Sequence, residues 1–226
     1  MASEVLTIHS KTPEIRKIAK VVEALHDGAV ILYPTDTGFT LGCELSNKEA
    51  ISRIRAIRKI PENKQMTFLC GSLSNLSEFA RVSNVAYKTI KSLVPGPYTF
   101  ILPATKMVPK FAQEPKRKTA GIRVPDNILS QILLKNLETP IISISAKKDD
   151  GDYYSHPDDV IEAMAPFVDI AVRSDEYNFV GESTLIDMTT DEFSIIRHGA
   201  GIAKVLEFVE IRSEEHTSEL QSPNTI

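Results

Sequence analysis

The chain has 226 residues, a formal net charge of −4, 42% apolar and 25% charged residues, and no Trp. This is enough apolar sequence for one aliphatic core without metal or disulfide support. The net charge supplies no global attraction to nucleic acid and leaves only a local basic patch for that purpose. No apolar run can span a bilayer, and the opening MASEVLTIHSK lacks the apolar stretch of a signal peptide, so a cytoplasmic protein with no membrane partner is expected. Cys43 and Cys70 form no CxxC pair and read as reduced thiols in or near the core.

In chain order, Thr12-Pro13-Glu14 reads as a helix start, with Thr12 as N-cap and Pro13 at the first helical position. Ile15, Ile18, Ala19, Val22 and Leu25 follow at helical spacing and predict one buried face, ending at Asp27-Gly28. AVILY at 29–33 predicts a buried strand. Ser46 or Asn47 caps a helix to about Arg58, with Ala50, Ile54 and Ile57 inward. A strand at 66–69 and helices at 73–79 and 85–93 follow. Strands at 98–102 and 120–124 are separated by a long basic connection. Asp126 caps a helix to Leu137, Pro140 introduces a strand at 141–144, and His156-Pro157-Asp158-Asp159 starts a helix to Met164. Strands at 168–172, 183–187 and 193–197 close the pattern, and their close spacing predicts antiparallel pairing at one side. Helices and strands interleave throughout, which predicts one α/β domain, residues 1–211, with a mixed sheet. It ends in a further strand. Residues 212–226, beginning RSEEHTSELQS, look like translated sequencing adapter rather than part of the domain, and without their one Arg and three Glu the charge is −2.

Several groups could carry chemistry, each beside a plainer alternative. The strand at 29–33 runs into Tyr33-Pro34-Thr35-Asp36-Thr37, and ligands of open α/β sheets sit beyond the carboxyl ends of strands. Hydroxyls and a carboxylate there suit a small polar ligand, or form a self-capped turn. Arg58, Lys59 and Lys64 bracket Pro61 and suit phosphate oxygens, or complement a helix C-terminus. Thr99 leaves the rigid Pro95-Gly96-Pro97 turn, as a ligand donor or as simple punctuation. Arg123 in the apolar AGIRVP needs a partner, either an anionic ligand or an internal carboxylate. Ser143 and Ser145 in IISISA, and Ser183 at the start of STLID, permit close ligand approach or are satisfied by backbone. Arg197 precedes the turn containing Gly199 and Gly201, where backbone can approach a phosphate. Lys106, Lys110, Lys116, Arg117 and Lys118 form a basic rim for RNA, or a solvated loop. The histidines make no zinc pattern, and neither a P-loop nor a dinucleotide fingerprint is present.

The ordered set YPTDTGFTLG, the basic segment with Pro61 and Lys64, PGPYTFIL, GIRVP, SISA, STLIDM and IRHG resembles the YrdC-like family over about residues 8–205. IRKIPENKQMTFLC, PGPYTFIL and KRKTAGIRVP are most similar to its YciO-type branch. The resemblance implies a twisted mixed sheet with flanking helices and a concave, basic cleft. It implies synthesis of L-threonylcarbamoyl-AMP from L-threonine, bicarbonate and ATP, with pyrophosphate released, for the threonylcarbamoyl modification of adenosine 37 in tRNA. It also implies an alternative, a non-catalytic module that binds double-stranded RNA or a nucleotide. Thr35, Arg123, Ser143 and Ser183 would hold threonine. Arg58, Lys64, Thr99, Ser145 and Arg197 would hold ATP, with Mg2+ carried on the triphosphate rather than in a protein cage. Departures predict weakened, altered or absent activity. Arg58-Lys59-Ile60-Pro61 stands where active synthases carry K-x-R-P, and Ile144-Ser145-Ala146-Lys147 where they carry T-S-A-N, followed by Asp149-Asp150-Gly151 in place of Ser-Gly.

Overall fold

Residues 3–114 and 116–208 are described by a computed structural model. The expected tail at 212–226 and the domain end at 211 lie outside the described residues. Ten strands form one sheet: β1 Glu4–Ile8, β2 Ile31–Thr35, β3 Gly38–Glu44, β4 Thr67–Leu69, β5 Tyr98–Pro103, β6 Thr119–Arg123, β7 Ile141–Ser145, β8 Ile170–Ser174, β9 Thr184–Asp187 and β10 Ser194–Arg197. Their order is β1-β8-β2-β3-β7-β4-β6-β5-β9-β10. The pairs β1–β8, β8–β2, β4–β6 and β5–β9 are parallel, and the others are antiparallel. Flanking the sheet are the helices α1 Ile15–His26, α2 Lys48–Ile57, α3 Leu73–Phe79, α4 Asn84–Leu93, α5 Ile128–Leu137 and α6 Pro157–Met164.

Period-two alternation divides the side chains between two faces. On one face Cys43, Ile142, Phe68, Ile122, Phe100 and Ile186 stand opposite one another from strand to strand. This apolar row is the spine of the larger core, which also takes Ile54 of α2, Leu76 of α3 and Ile90 and Leu93 of α4. Phe68 is fully buried there, so Phe68→Ala is a cavity mutation expected to cost about 3–5 kcal/mol. On the other face a smaller core joins Ile31, Tyr33, Leu69 and Ile141 to Ile18, Val21 and Leu25 of α1 and Leu129 and Leu133 of α5. Ser130 of α5 donates to the carbonyl of Pro34 at 2.8 Å, which fixes that helix against the end of β2. The thiols of Cys43 and Cys70 are both free and buried, and burial pushes Cys43 up to about 12.

Several expectations need correction. Helix α1 begins at Ile15, because Glu14 holds an extended backbone and its carboxylate turns back to accept from the N–H of His9. The buried stripe is consequently Ile18, Val21 and Leu25; Ala19 is exposed and Ile15 is 84% exposed. Asn127, not Asp126, caps α5, its Oδ1 accepting from the N–H of Ser130 at 2.9 Å. Asn47 does cap α2, accepting from the N–H of Ala50 at 2.8 Å. The segment after Thr35 is more than a turn: Asp36 and Thr37 reverse the chain into β3, which pairs with β2. Strand β8 does not join the late antiparallel pair. It lies between β1 and β2 near the opposite edge, and of these three late strands β9 and β10 pair antiparallel. Residues 202–208 are helical where a final strand is expected.

Candidate functional site

The second face is only partly covered. Helices α1 and α5 lie over Tyr33, Leu69 and Ile141. Beyond that cover the same alternation brings Thr67, Thr99, Ile101, Gly121, Ser143 and Ser145 onto the floor of a cavity of about 640 Å3. Register sets the row: Ser143 stands opposite Gly42 and Thr67, Thr67 opposite Gly121, and Gly121 opposite Ile101. Apart from Ile101, these floor residues are small or hydroxylated, which leaves both the room and the donors for a polar ligand.

Every residue that the resemblance assigns to threonine or ATP lines this cavity: Thr35, Arg123, Ser143 and Ser183 with Arg58, Lys64, Thr99, Ser145 and Arg197. The Tyr33–Gly42 segment contributes Thr35, Thr37, Gly38, Phe39 and Thr40 to its wall. The lysine-rich rim is placed elsewhere. Lys106, Lys110, Lys116, Arg117 and Lys118 are exposed on the β5–β6 connection and do not line the cavity. Arg117 is engaged by the Asp187 carboxylate at 2.7 Å.

The hydroxyls are held in pairs. Thr35 Oγ1 donates to the carbonyl of Gly38 at 2.8 Å and accepts from the N–H of Thr37 at 3.2 Å, so the self-capped turn and the cavity wall are one structure. Ser143 Oγ lies 2.8 Å from the Tyr33 hydroxyl, and Thr99 Oγ1 lies 2.9 Å from Ser183 Oγ. Complete burial pushes the Tyr33 phenol well above its ordinary value.

The cations are also fixed. Arg123 takes the internal-carboxylate alternative: it donates to Asp36, and its Nη1 donates to Thr37 Oγ1 at 2.5 Å. Burial pushes the Asp36 carboxyl up and the Arg123 guanidinium down, while each charge pulls the other back. Asp36 Oδ2 is buried without a hydrogen-bond partner. Arg58 donates from Nε to the carbonyl of Ser145 at 3.1 Å and from Nη1 to that of Lys147 at 2.5 Å. Lys59 turns away to Asp149, at 2.5 Å, and does not line the cavity. Arg197 donates to the carbonyl of Ser183 at 2.8 Å and to Glu182 Oε1 at 2.9 Å. The lining also includes Asn63, Gln65, Thr67, Tyr153 and Glu182, which sequence reasoning misses. Thr67 shares the parity of Leu69 in a short strand and was legible in principle. Glu182 carries no local signal. Among the described residues no group of His, Cys, Asp or Glu is arranged to cage a metal ion.

The mixed α/β sheet thus carries an open cleft where helices α1 and α5 leave it uncovered, with strand-borne hydroxyls on its floor and arginines in its wall. Residues 23–199 match the Sua5/YciO/YrdC family model, described as Telomere recombination. The chain belongs to this family. It is 41% identical over 203 residues to an uncharacterized protein of Haemophilus influenzae, covering 88% of this chain and 97% of that one. It is 38% identical over 205 residues to the uncharacterized protein YciO of Escherichia coli, covering 89% and 98%. The crystal structure of E. coli YciO superposes with a TM-score of 0.81 over 87% of this chain and 96% of that one. A threonylcarbamoyl-AMP synthase of Vibrio vulnificus is 30% identical over 135 residues, 58% of this chain and 72% of that protein. The crystal structure of P. abyssi Sua5 complexed with L-threonine shares the fold, with a TM-score of 0.79 at 24% identity over 86% of this chain and 57% of that one.

Proposed function

We propose that the cleft binds ATP, carried as its Mg2+ complex, beside L-threonine, and forms L-threonylcarbamoyladenylate for tRNA modification. One observation carries this reading: hydroxyls and cations from β2, β5, β6, β7, β10, the end of α2 and the residue just before β9 converge on one cavity. The threonine amine adds to bicarbonate with loss of water, and an oxygen of the resulting carbamate attacks the α-phosphorus of ATP. The bond from that phosphorus to the bridging oxygen breaks and pyrophosphate leaves. No protein nucleophile is required, because the task is positioning and neutralising charge on the departing oxygens. Arg58, Lys64 and Arg197 would face the phosphates, with Thr99 and Ser145 as neutral donors. Thr35, Ser143 and Ser183 would orient threonine, whose carboxylate would meet Arg123. Tethered side chains lose little freedom when a ligand arrives, which favours this use of Arg58 and Arg197.

The test is pyrophosphate release by the purified protein, followed with L-threonine, bicarbonate or both omitted. Release that needs all three substrates is expected. Release that ignores threonine at every concentration would sink the proposal. A parallel titration with duplex RNA addresses the exposed basic rim: affinity that falls steeply with salt would favour a nucleic-acid partner.

A further inference from the structure

We propose that Glu182 is a displaceable clasp, which ties the loop after β7 across the cleft and gives way to phosphate oxygens at Lys147 and Arg197. The proposal rests on the nucleotide reading for the identity of the anion, but the clasp itself stands on geometry. Glu182 Oε1 accepts from Arg197 Nη1 at 2.9 Å, Lys147 Nζ at 3.2 Å and the Tyr153 hydroxyl at 3.3 Å. All four side chains line the cavity. Lys147 and Tyr153 belong to the loop that leaves β7, whereas Glu182 and Arg197 belong to the β9–β10 side. In the sheet β7 and β9 are separated by β4, β6 and β5. At ~4.8 Å per strand spacing the two flanks stand about 19 Å apart along the floor. One carboxylate oxygen therefore joins opposite banks of the cleft.

The loop is built to be held there. Lys147 Nζ also lies 4.3 Å from the centre of the Tyr153 ring, so the cation and the phenol reach Glu182 as a unit. At its root the loop is fixed by Arg58, which takes the Lys147 carbonyl, and by Lys59, which takes Asp149. Gly151 sits beyond those anchors with a φ of 93°, a left-handed conformation open to glycine, and gives the far end of the loop a turning point.

The clasp is also built to release. The Lys147, Glu182 and Arg197 side chains are 24%, 35% and 39% exposed, and pairs so placed hold weakly. A polyphosphate offers several anionic oxygens to the same two cations in place of one carboxylate, with charge-assisted bonds of the stronger kind. Lys147 stands where the resemblance places Asn in active synthases, so the clasp gives a use to a residue that otherwise reads as a defect.

The experiment uses the full chain, with hydrogen exchange followed on the amides of Lys148 and Gly151, which are hydrogen-bonded to the carbonyls of Asp152 and Lys148. Glu182→Gln should speed their exchange at least fivefold and should tighten binding of inorganic pyrophosphate at least threefold. Lys147→Gln should speed exchange equally but weaken pyrophosphate, which separates a clasp from a general loss of stability. Unchanged exchange in both variants would overturn the clasp, and weaker pyrophosphate binding in E182Q would overturn its competition with phosphate. If neither pyrophosphate nor ATP binds any form of the protein, the nucleotide reading and the phosphate exchange fall together, while the loop tie is still decided by the exchange rates.

Discussion

The guanidinium of Arg123 donates to the carboxylate of Asp36 within the wall of the cleft, and both side chains are almost wholly hidden, at 6% and 5% exposure. A buried pair of this kind is stable only while both charges are present. Asp36→Asn is expected to lower the free energy of unfolding by about 3–5 kcal/mol, because it strands a guanidinium away from water. Adding Arg123→Met to the same chain should recover much of the loss. Urea denaturation of the two variants decides the matter: a wild-type midpoint for D36N would show that the pair carries no net stability.

Gly42 and Gly121 both sit in the sheet near the cleft, yet they should respond oppositely to a methyl group. A Cβ at Gly42 would lie 2.6 Å from Ile141 Cγ2 and 2.8 Å from Tyr33 Cε1, whereas at Gly121 its nearest neighbour is Thr99 Cγ2 at 3.6 Å. Gly42→Ala should cost about 1–3 kcal/mol by overpacking. Gly121→Ala should stay within about 1 kcal/mol of wild type. Gly121→Leu should fill the cavity floor and abolish ATP binding while the protein remains folded. Circular dichroism melts and a nucleotide titration on the same samples check all three.

The Lys17 ammonium donates to Glu14 at 2.6 Å and the N–H of His9 donates at 3.1 Å. These bonds, that of Lys17 first, hold the Glu14 carboxyl at about 2, against an ordinary 4.5. A depressed value in the folded chain means that folding favours the ionised form. The contribution is therefore complete above about pH 4.5 and disappears as pH falls toward 2. The gap in urea midpoint between wild type and Glu14→Gln should narrow across that interval. Parallel curves would assign the acid sensitivity to other groups.

Arg197→Ala should reduce threonine-dependent pyrophosphate release at least tenfold in kcat/KM. Arg197→Lys should fall between, because an ammonium cannot hold the Ser183 carbonyl and a phosphate with the planar fork that Arg supplies. Equal loss in both variants, accompanied by unfolding, would assign Arg197 a structural role.

Ile60 lines the cavity where the resemblance places an Arg in active synthases. Ile60→Arg should gain a charge-assisted contact worth about 1.5–3 kcal/mol, or roughly ten- to a hundredfold in ATP affinity. Isothermal titration with ATP and Mg2+ reads the change, and an unaltered Kd would show that this position does not reach the phosphates.

How far the sequence foretells this structure differs by region. The interior strands β2, β5, β6 and β7 are legible because most of their residues are buried and largely apolar segments announce them. Strand β1 is not: EVLTI buries only Ile8 fully, and its partner β8 lies far along the chain. Strand β3 is obscured by its glycines and by the Thr and Asp before it, which fit a terminating turn equally well. The cavity hydroxyls are legible as residue types at strand ends, but their convergence depends on a strand order that no local pattern encodes. Glu182 is the clearest loss, since its partner Lys147 is 35 residues earlier and only the assembled fold brings them together.

The pairing of β1 with β8 has a consequence for how the chain matures. His9 and Asp175, which tie the ends of those strands at 2.9 Å, are 166 positions apart. A ribosome making this chain exposes the first strand long before its neighbour exists, and closing so long a loop is a slow step. Until then the early segment is an unsatisfied ribbon in search of any free edge. Glu4 and Thr7, the two polar residues of EVLTI, would keep it hydrated through that wait, and a late stage of folding would be the capture of this early-made strand by a late one.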